Sequence, residues 1–236
     1  MSGATVSAAE VARFDALAER WWDPNGPMRP LHRMNPARIG WIRQRIARRF
    51  ADARGLRLLD LGCGAGLATE ALARAGLDVL GVDAAGEAIE AARAHAHGKP
   101  LSLAYRVGLA EDLAGEGLRF PVITALEVIE HVPDPAAFLR LIASLLEPRG
   151  LLVLSTLNRT PLSFLTAKVG AEYVLRWLPE GTHDWRKFLT PAELGALLRD
   201  AGLRVTDTTG LVPSPLRGGW RTAADLRVNY MIAAEN

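Results

Sequence analysis

Seven consecutive residues, Asp60-Leu61-Gly62-Cys63-Gly64-Ala65-Gly66, carry the first chemistry legible in this chain. Glycine leaves the backbone bare and tolerates positive φ, so a bound molecule can approach the peptide groups themselves. The run Leu56 to Leu59 precedes the string and a helical pattern, Leu67 to Ala75, follows it. A strand therefore enters a tight turn and leaves as a helix, whose first N–H groups point outward. A nucleotide-like cofactor is expected there. Further along, Glu127, Glu130 and His131 follow a second apolar run. Two carboxylates and an imidazole at spacings of three and four share one face if the chain turns helically. Such a group can hold a hard cation, take a proton as a base, or cap the turn before Val132-Pro133.

The loop spacing narrows the cofactor. A dinucleotide fingerprint sets glycines at its first, third and sixth positions. Counted from Gly62 the sixth residue is Leu67, which excludes a dehydrogenase. The spacing is Gly-x-Gly-x-Gly, with Asp60 two residues ahead of it. A carboxylate beside the loop disfavours a diphosphate and suits a cationic amino-acid end. S-adenosylmethionine (SAM) fits, with a sulfonium, an ammonium and a carboxylate but no phosphate. Val79-Leu80-Gly81-Val82 reads as a buried strand ending at Asp83, whose carboxylate can accept from both ribose hydroxyls. Glu111 and Asp112, after the strand-like Leu103 to Val107, either face the adenine amino group or cap a helix.

Methyl transfer from a sulfonium to a phenol needs the oxygen deprotonated. The free hydroxyl has a pKa near ~10 by analogy with tyrosine. A base, a metal, or both must act, and Glu127, Glu130 and His131 are the candidates. His183-Asp184 is a second base candidate.

These residues need a frame. The chain has 236 residues, 49% of them hydrophobic, which suits one large α/β domain. The formal net charge is +2, and lysine occurs only at Lys99, Lys168 and Lys187. No dense basic tract argues for nucleic acid. The single cysteine, Cys63, excludes an internal disulfide framework and suits a reducing compartment. No signal peptide and no uncharged stretch of membrane-spanning length is visible. Strands are expected near 56–61, 79–82, 103–107, 121–126 and 151–157, then 203–208 and 227–233. Helices between them imply parallel pairing with right-handed crossovers. The expected fold is an α/β, Rossmann-like, seven-stranded, mostly parallel sheet with one antiparallel edge strand and helices on both faces. Residues 1–55 form a helical segment covering the cofactor site. Val11, Phe14, Leu17 and Trp21 recur there at helical spacing, and Asn35-Pro36 reads as an N-cap with proline at the first helical position. Residues 56–236 form the main domain, with 159–189 as an insertion.

The flanking strings are more specific than the loop. They are Arg20-Trp21-Trp22-Asp23, Leu31-His32-Arg33-Met34-Asn35-Pro36 with Arg38, and Glu127-Val128-Ile129-Glu130-His131-Val132-Pro133-Asp134-Pro135. Ser155-Thr156-Leu157-Asn158-Arg159, Val169-Gly170-Ala171-Glu172-Tyr173, Gly181-Thr182-His183-Asp184 and Val228-Asn229-Tyr230-Met231 complete them. Together they resemble the class I, SAM-dependent ubiquinone biosynthesis O-methyltransferase family, which methylates polyprenylated catechols and hydroxyphenols. The resemblance runs from Phe14 to Met231. It implies cofactor contacts at Arg38, Gly62, Asp83 and Leu126, with Gly64 in the same loop, and Mg²⁺ at Glu127, Glu130 and His131. It also implies two acceptors, a polyprenyl hydroxyphenol or catechol and a demethylubiquinol. The chain departs from the family at Gly210-Leu211-Val212-Pro213-Ser214-Pro215, where an aromatic residue before Asn-Pro is usual. Independently of the resemblance, an Arg38 guanidinium can pair with the SAM carboxylate.

Residues 161–178 mix Leu162, Phe164, Leu165 and Trp177 with Lys168 and Arg176, and Arg186-Lys187 follow. The stretch suits an amphipathic helix in the headgroup region of an anionic membrane, or a lid helix on the core. The expected partners are the prenylated substrate, a membrane surface reached through 161–187, and companion proteins of ubiquinone synthesis, with no nucleic acid. The expected setting is cytoplasmic, with peripheral contact to the inner face of the inner membrane. The rival expectation is a methyltransferase of a soluble phenol or amine.

Overall fold

The structure is a computed structural model that describes residues 7–165, 185–214 and 219–236. Five parallel strands build one side of its sheet: β1 (Arg57–Leu61), β2 (Asp78–Asp83), β3 (Leu103–Val107), β4 (Phe120–Leu126) and β5 (Leu146–Leu157). Three more follow, β6 (Arg204–Ser214), β7 (Gly219–Ala223) and β8 (Asn229–Glu235), and the order across the sheet is β3-β2-β1-β4-β5-β8-β6-β7. The order reverses between β1 and β4, so a crevice opens at their carboxyl ends, where ligands bind in open α/β sheets.

The mostly parallel α/β fold stands as expected, with two differences in detail. Among the described residues eight strands form rather than seven, and besides the antiparallel edge strand β7 a second antiparallel strand, β8, lies between β5 and β6. The added strand arises because β6 runs on to Ser214 and pairs with β7 from Gly210 to Ser214. Gly210 stays within the strand because the Asp225 carbonyl passes close by: a Cβ would sit 1.7 Å from that oxygen.

Helices cover both faces. On one, α5 (Ala110–Gly115), α6 (Pro135–Leu145) and α8 (Pro191–Asp200) bury Leu113, Phe138, Leu139, Ile142, Leu194 and Leu198 against the sheet. On the other, α2 (Arg29–Arg49) and α3 (Leu67–Arg74) bury Trp41, Ile42, Ile46 and Leu72 against Leu58, Val122 and Val153. The helix α4 (Gly86–Ala96) packs Ile89 and Ala92 on Tyr105 of β3. The single turn α7 (Pro161–Ser163) follows β5, and the first helix, α1 (Ala8–Asp15), precedes a 3₁₀ turn at Ala18–Arg20. Among the described residues no helix is long and apolar enough to cross a membrane.

The start of α2 differs from the expectation. Pro30 occupies the first turn, and Pro36 lies inside the helix, where it removes one backbone bond. Asn35 is therefore not a cap. It is buried, and its Nδ2 donates to the Leu67 carbonyl at 2.9 Å, tying α2 to the first residue of α3.

Candidate active site

The loop after β1 turns on three left-handed glycines, Gly62 (φ +70°), Gly64 (φ +51°) and Gly66 (φ +84°). Protein side chains already use the space that the missing Cβ atoms leave. A Cβ would lie 2.4 Å from Val128 Cγ2 at Gly62 and 2.3 Å from Trp21 Cζ2 at Gly64. The Gly64 N–H donates to Asp83 Oδ2 at 2.7 Å, and the Ala85 N–H donates to Asp83 Oδ1 at 2.9 Å. The carboxylate at the end of β2 thus fixes both the loop and the entry to α4. Each oxygen keeps a second lone pair for a ligand hydroxyl. Burial pushes its pKa up, and the backbone donors act against that.

Asp60 has another task. Its Oδ2 accepts from Thr69 Oγ1 at 2.6 Å and its Oδ1 from Thr124 Oγ1 at 2.7 Å, which joins β1, α3 and β4. It is buried beneath the loop and does not line the cavity. Burial pushes its pKa up; the two threonine hydroxyls and the Arg38 charge pull it down. Arg38, also buried, donates to Asn35 Oδ1 at 3.3 Å, and its Nε has no partner among the described residues. Burial lowers its pKa, while the charges of Glu127 and Asp60 favour the cation. Asp112 takes the capping alternative: its Oδ2 accepts from the Leu109 N–H at 2.8 Å at the start of α5. Glu111 sits beside it on α5. Neither acid lines the cavity, where Gly108, Leu109 and Ala110 do so instead.

The cavity measures about 150 Å³ and lies at the carboxyl ends of β1, β2 and β4. Gly62, Gly64, Asp83 and Leu126 line it together with Glu127, His131, Val132 and Phe138. Glu10, Val11 and Phe14 of α1, with Trp21 and Met28, cover it. Next to this roof, Trp22 Nε1 donates to the Ala65 carbonyl at 3.0 Å, and its ring stacks on His95 at 3.3 Å between centroids. The roof is thereby pinned to the glycine loop.

At the acceptor end the expected helical face does not form. Glu127 takes a positive φ of +58°, and a 3₁₀ turn, Ile129–His131, follows. This backbone keeps the Glu127 and Glu130 carboxyls beside one another and turns His131 away from them. Glu127 Oε1 accepts from Ser155 Oγ at 2.7 Å and from Asn229 Nδ2 at 3.2 Å. Glu130 is buried under the sheet, with Oε2 accepting from Thr156 Oγ1 at 2.8 Å. Burial, with the Glu127 charge behind it, pushes the Glu130 carboxyl well above the usual range. His131 turns towards α1, its Nδ1 3.1 Å from Glu10 Oε2 and its ring edge-on to Phe14. Among the described residues no group of three or more His, Cys, Asp or Glu side chains is placed to hold a metal ion. The three expected Mg²⁺ ligands are therefore not gathered as one group: the Glu127 and Glu130 carboxyls lie together, and the His131 imidazole faces α1 instead. His183 and Asp184 lie outside the described residues.

Residues 32–208 match the family model described as a methyltransferase domain. The chain is 52% identical over 241 residues to a ubiquinone biosynthesis O-methyltransferase of Azorhizobium caulinodans, covering 99% of this chain and 95% of that one. Proteins of the same name from Cereibacter sphaeroides and Bradyrhizobium diazoefficiens are each 50% identical, covering 98% and 99% of this chain and 96% and 94% of their own. The chain belongs to the ubiquinone biosynthesis O-methyltransferase family. Its fold is shared more widely. A magnesium protoporphyrin IX methyltransferase from Synechocystis, solved with bound SAM, superposes with a TM-score of 0.65 at 17% identity, covering 98% of both chains. A possible histamine N-methyltransferase from Thermotoga maritima gives 0.63 at 18% identity, covering 96% of this chain and 99% of that one.

Of the expected cofactor contacts, Gly62, Gly64, Asp83 and Leu126 line the cavity, whereas Arg38, like Asp60, Glu111 and Asp112, does not; the sequence strings also left other neighbours of the cavity unassigned. Sequence reasoning attached no chemistry to Glu10, Trp21, Trp22, Ser155 or Asn229. Four of these stood inside the strings that carry the resemblance, so the signal was present but mute about contact. Glu10 had no signal beyond its place in a helical segment.

Proposed function

We propose that this protein transfers the methyl group of SAM to a ring hydroxyl of polyprenylated ubiquinone precursors, both a hydroxyphenol or catechol and a demethylubiquinol. The observation that carries the reading is one cavity lined both by the Asp83-locked glycine loop and by Glu127 and His131, with apolar side chains of Phe14, Trp21 and Met28. When bound, SAM supplies an electrophilic methyl on a sulfonium. Arg38 is the residue to pair with its carboxylate, Asp83 to accept from its ribose, and Leu126 to pack against the adenosine. Phe14, Trp21, Met28 and Phe138 exclude water, which strengthens charge interactions inside. His131 takes the acceptor hydroxyl proton as the C–O bond forms and the C–S bond breaks. Orientation of two bound reactants supplies roughly 7–11 kcal/mol in favourable models. No step is routed through a metal.

The long-tailed substrate class draws support from exposed Leu162, Phe164 and Leu165 at the entry to the insertion, with Arg186 and Lys187 at its exit. Apolar side chains flanked by cations suit the surface of an anionic bilayer, where a prenyl tail would remain. Lys168, Arg176 and Trp177 lie outside the described residues.

The test is incubation with SAM and a prenylated catechol, delivered free or in anionic or neutral vesicles, with and without chelator, followed by mass analysis. One added methyl group is expected, fastest from anionic vesicles and unaffected by chelation. No methylated product under any condition would overturn the reaction; equal rates from all deliveries would overturn the membrane contact; loss on chelation would overturn the metal-free step.

A further inference from the structure

We infer that Glu70 and His95, outside the cavity, are positioning residues that hold its tryptophan roof on the glycine loop and so set how long SAM stays bound. The inference deepens the proposed methyl transfer and rests on its SAM site. The contacts form a closed circuit that starts and ends on the loop. The Ala65 carbonyl accepts from Trp22 Nε1 at 3.0 Å. The Trp22 ring lies on the His95 ring of α4, 3.3 Å between centroids and 16° from parallel. His95 Nδ1 meets Glu70 Oε1 at 2.5 Å. Glu70 stands in the first turn of α3, and its N–H donates to the carbonyl of Gly66, the residue after Ala65, at 2.9 Å. Trp21, the chain neighbour of Trp22, lines the cavity with its ring against Gly64. Whatever fixes Trp22 therefore fixes a wall of the SAM site.

The charges explain why the circuit holds. The Glu70 side chain is fully buried, and a carboxylate remains ionised there only with partners. Lys99 Nζ donates to Oε2 at 3.0 Å, and Arg74 pairs with the same oxygen. An ionised carboxylate only accepts, so His95 Nδ1 carries a proton and donates it. Lys99 Nζ, 2.8 Å from that nitrogen, gives its own protons to the carboxylate instead. The tie at Nδ1 stops the imidazole from turning out of the stack. Lys99 Nζ also lies 5.6 Å from the Trp22 centroid, where an ammonium is drawn to the indole face. Glu70 thus gathers three basic groups, and without it His95, Lys99 and Arg74 are free to turn to water. Trp22, Glu70, His95 and Lys99 do not line the cavity, so their effect on SAM passes through the roof and not through contact.

The test uses the full chain with E70A, E70Q, H95A and W22L, and the double variant E70A/W22L. SAM dissociation is followed by stopped flow. Trp22 emission, taken by difference from the matching W22L protein, reads the stack without turnover. E70A and H95A should each speed SAM dissociation roughly 2- to 30-fold, the span of couplings through packed side chains. Association should stay within about twofold. Trp22 emission should move to longer wavelength as the indole leaves the stack for water. E70Q keeps an acceptor for Nδ1–H and should recover most of the retention. KM for SAM should rise with the dissociation rate, while the single-turnover rate at saturating SAM changes less than about twofold. The deciding comparison is E70A/W22L: once Trp22 is gone, E70A should add nothing to SAM dissociation, although its cost in denaturant unfolding persists. A full E70A effect in the W22L background, unchanged dissociation in E70A and H95A, or unshifted Trp22 emission would each overturn the inference. If E70A fails to fold, H95A and H95A/W22L decide it, since the His95 side chain is 34% exposed. A wild type that binds SAM but methylates no acceptor would overturn the reaction alone, and the dissociation rates would still decide the clamp.

Discussion

At Gly64 a left-handed φ, the Trp21 ring and the N–H that holds Asp83 meet on one residue. An alanine there carries the steric cost of that backbone region, about 1–2 kcal/mol. It must also displace a buried indole whose edge would lie 2.3 Å from the new methyl. G64A should therefore lower the unfolding midpoint and weaken SAM binding more than about tenfold, read by denaturant unfolding and calorimetry. Unchanged SAM affinity would show that the loop tolerates a different path. Cys63, its neighbour, is buried, and desolvation lifts its thiol well above the ordinary value, so the neutral form dominates. Its role in the loop is to fill space beside Gly81 rather than to react.

Among the elements, α1 brings Glu10, Val11 and Phe14 to the cavity. Asp15 Oδ1 accepts from the Glu87 N–H at 2.9 Å, capping α4 from another helix, where the N-cap residue Ala85 cannot. Losing an N-cap bond costs about 0.5–2 kcal/mol. D15A should thus destabilise modestly and loosen the roof, raising the SAM dissociation rate in stopped-flow measurements; an unchanged rate would mean that Phe14 and Trp21 hold the roof alone. The sequence made the frame legible because strand, turn and helix are local patterns. Leu58 to Leu61, the glycines and Asp83 announce themselves within a few residues of one another. The start of α2 was less legible because Asn35-Pro36 imitates a cap, whereas only a contact with Leu67 reveals what Asn35 does. The acceptor trio misled for a related reason: spacings of three and four assume a helix, and the left-handed turn at Glu127 breaks that assumption. Glu10 and His131 are far apart in the chain, so no periodicity could have paired them.

For the whole molecule, the buried carboxyls set how stability depends on pH. Burial lifts Asp60 above its ordinary value of 3.8, so the folded state binds that proton more tightly than the unfolded one. Its contribution is fully present below the unfolded value and is lost as pH rises through the folded one. Measured against D60N, which never ionises, the wild type should lose ground from pH 3.8 upwards. Chemical unfolding of both proteins across about pH 3.5 to 8 checks this; a constant gap would mean that the Thr69 and Thr124 hydroxyls cancel the effect of burial. The sheet order has a consequence in time. Asn229, which grips Glu127, opens β8, and β8 enters between β5 and β6 after every other strand has left the ribosome. A growing chain can shape its glycine loop early, yet the Glu127 carboxylate finds its clasp only when that late strand slides home.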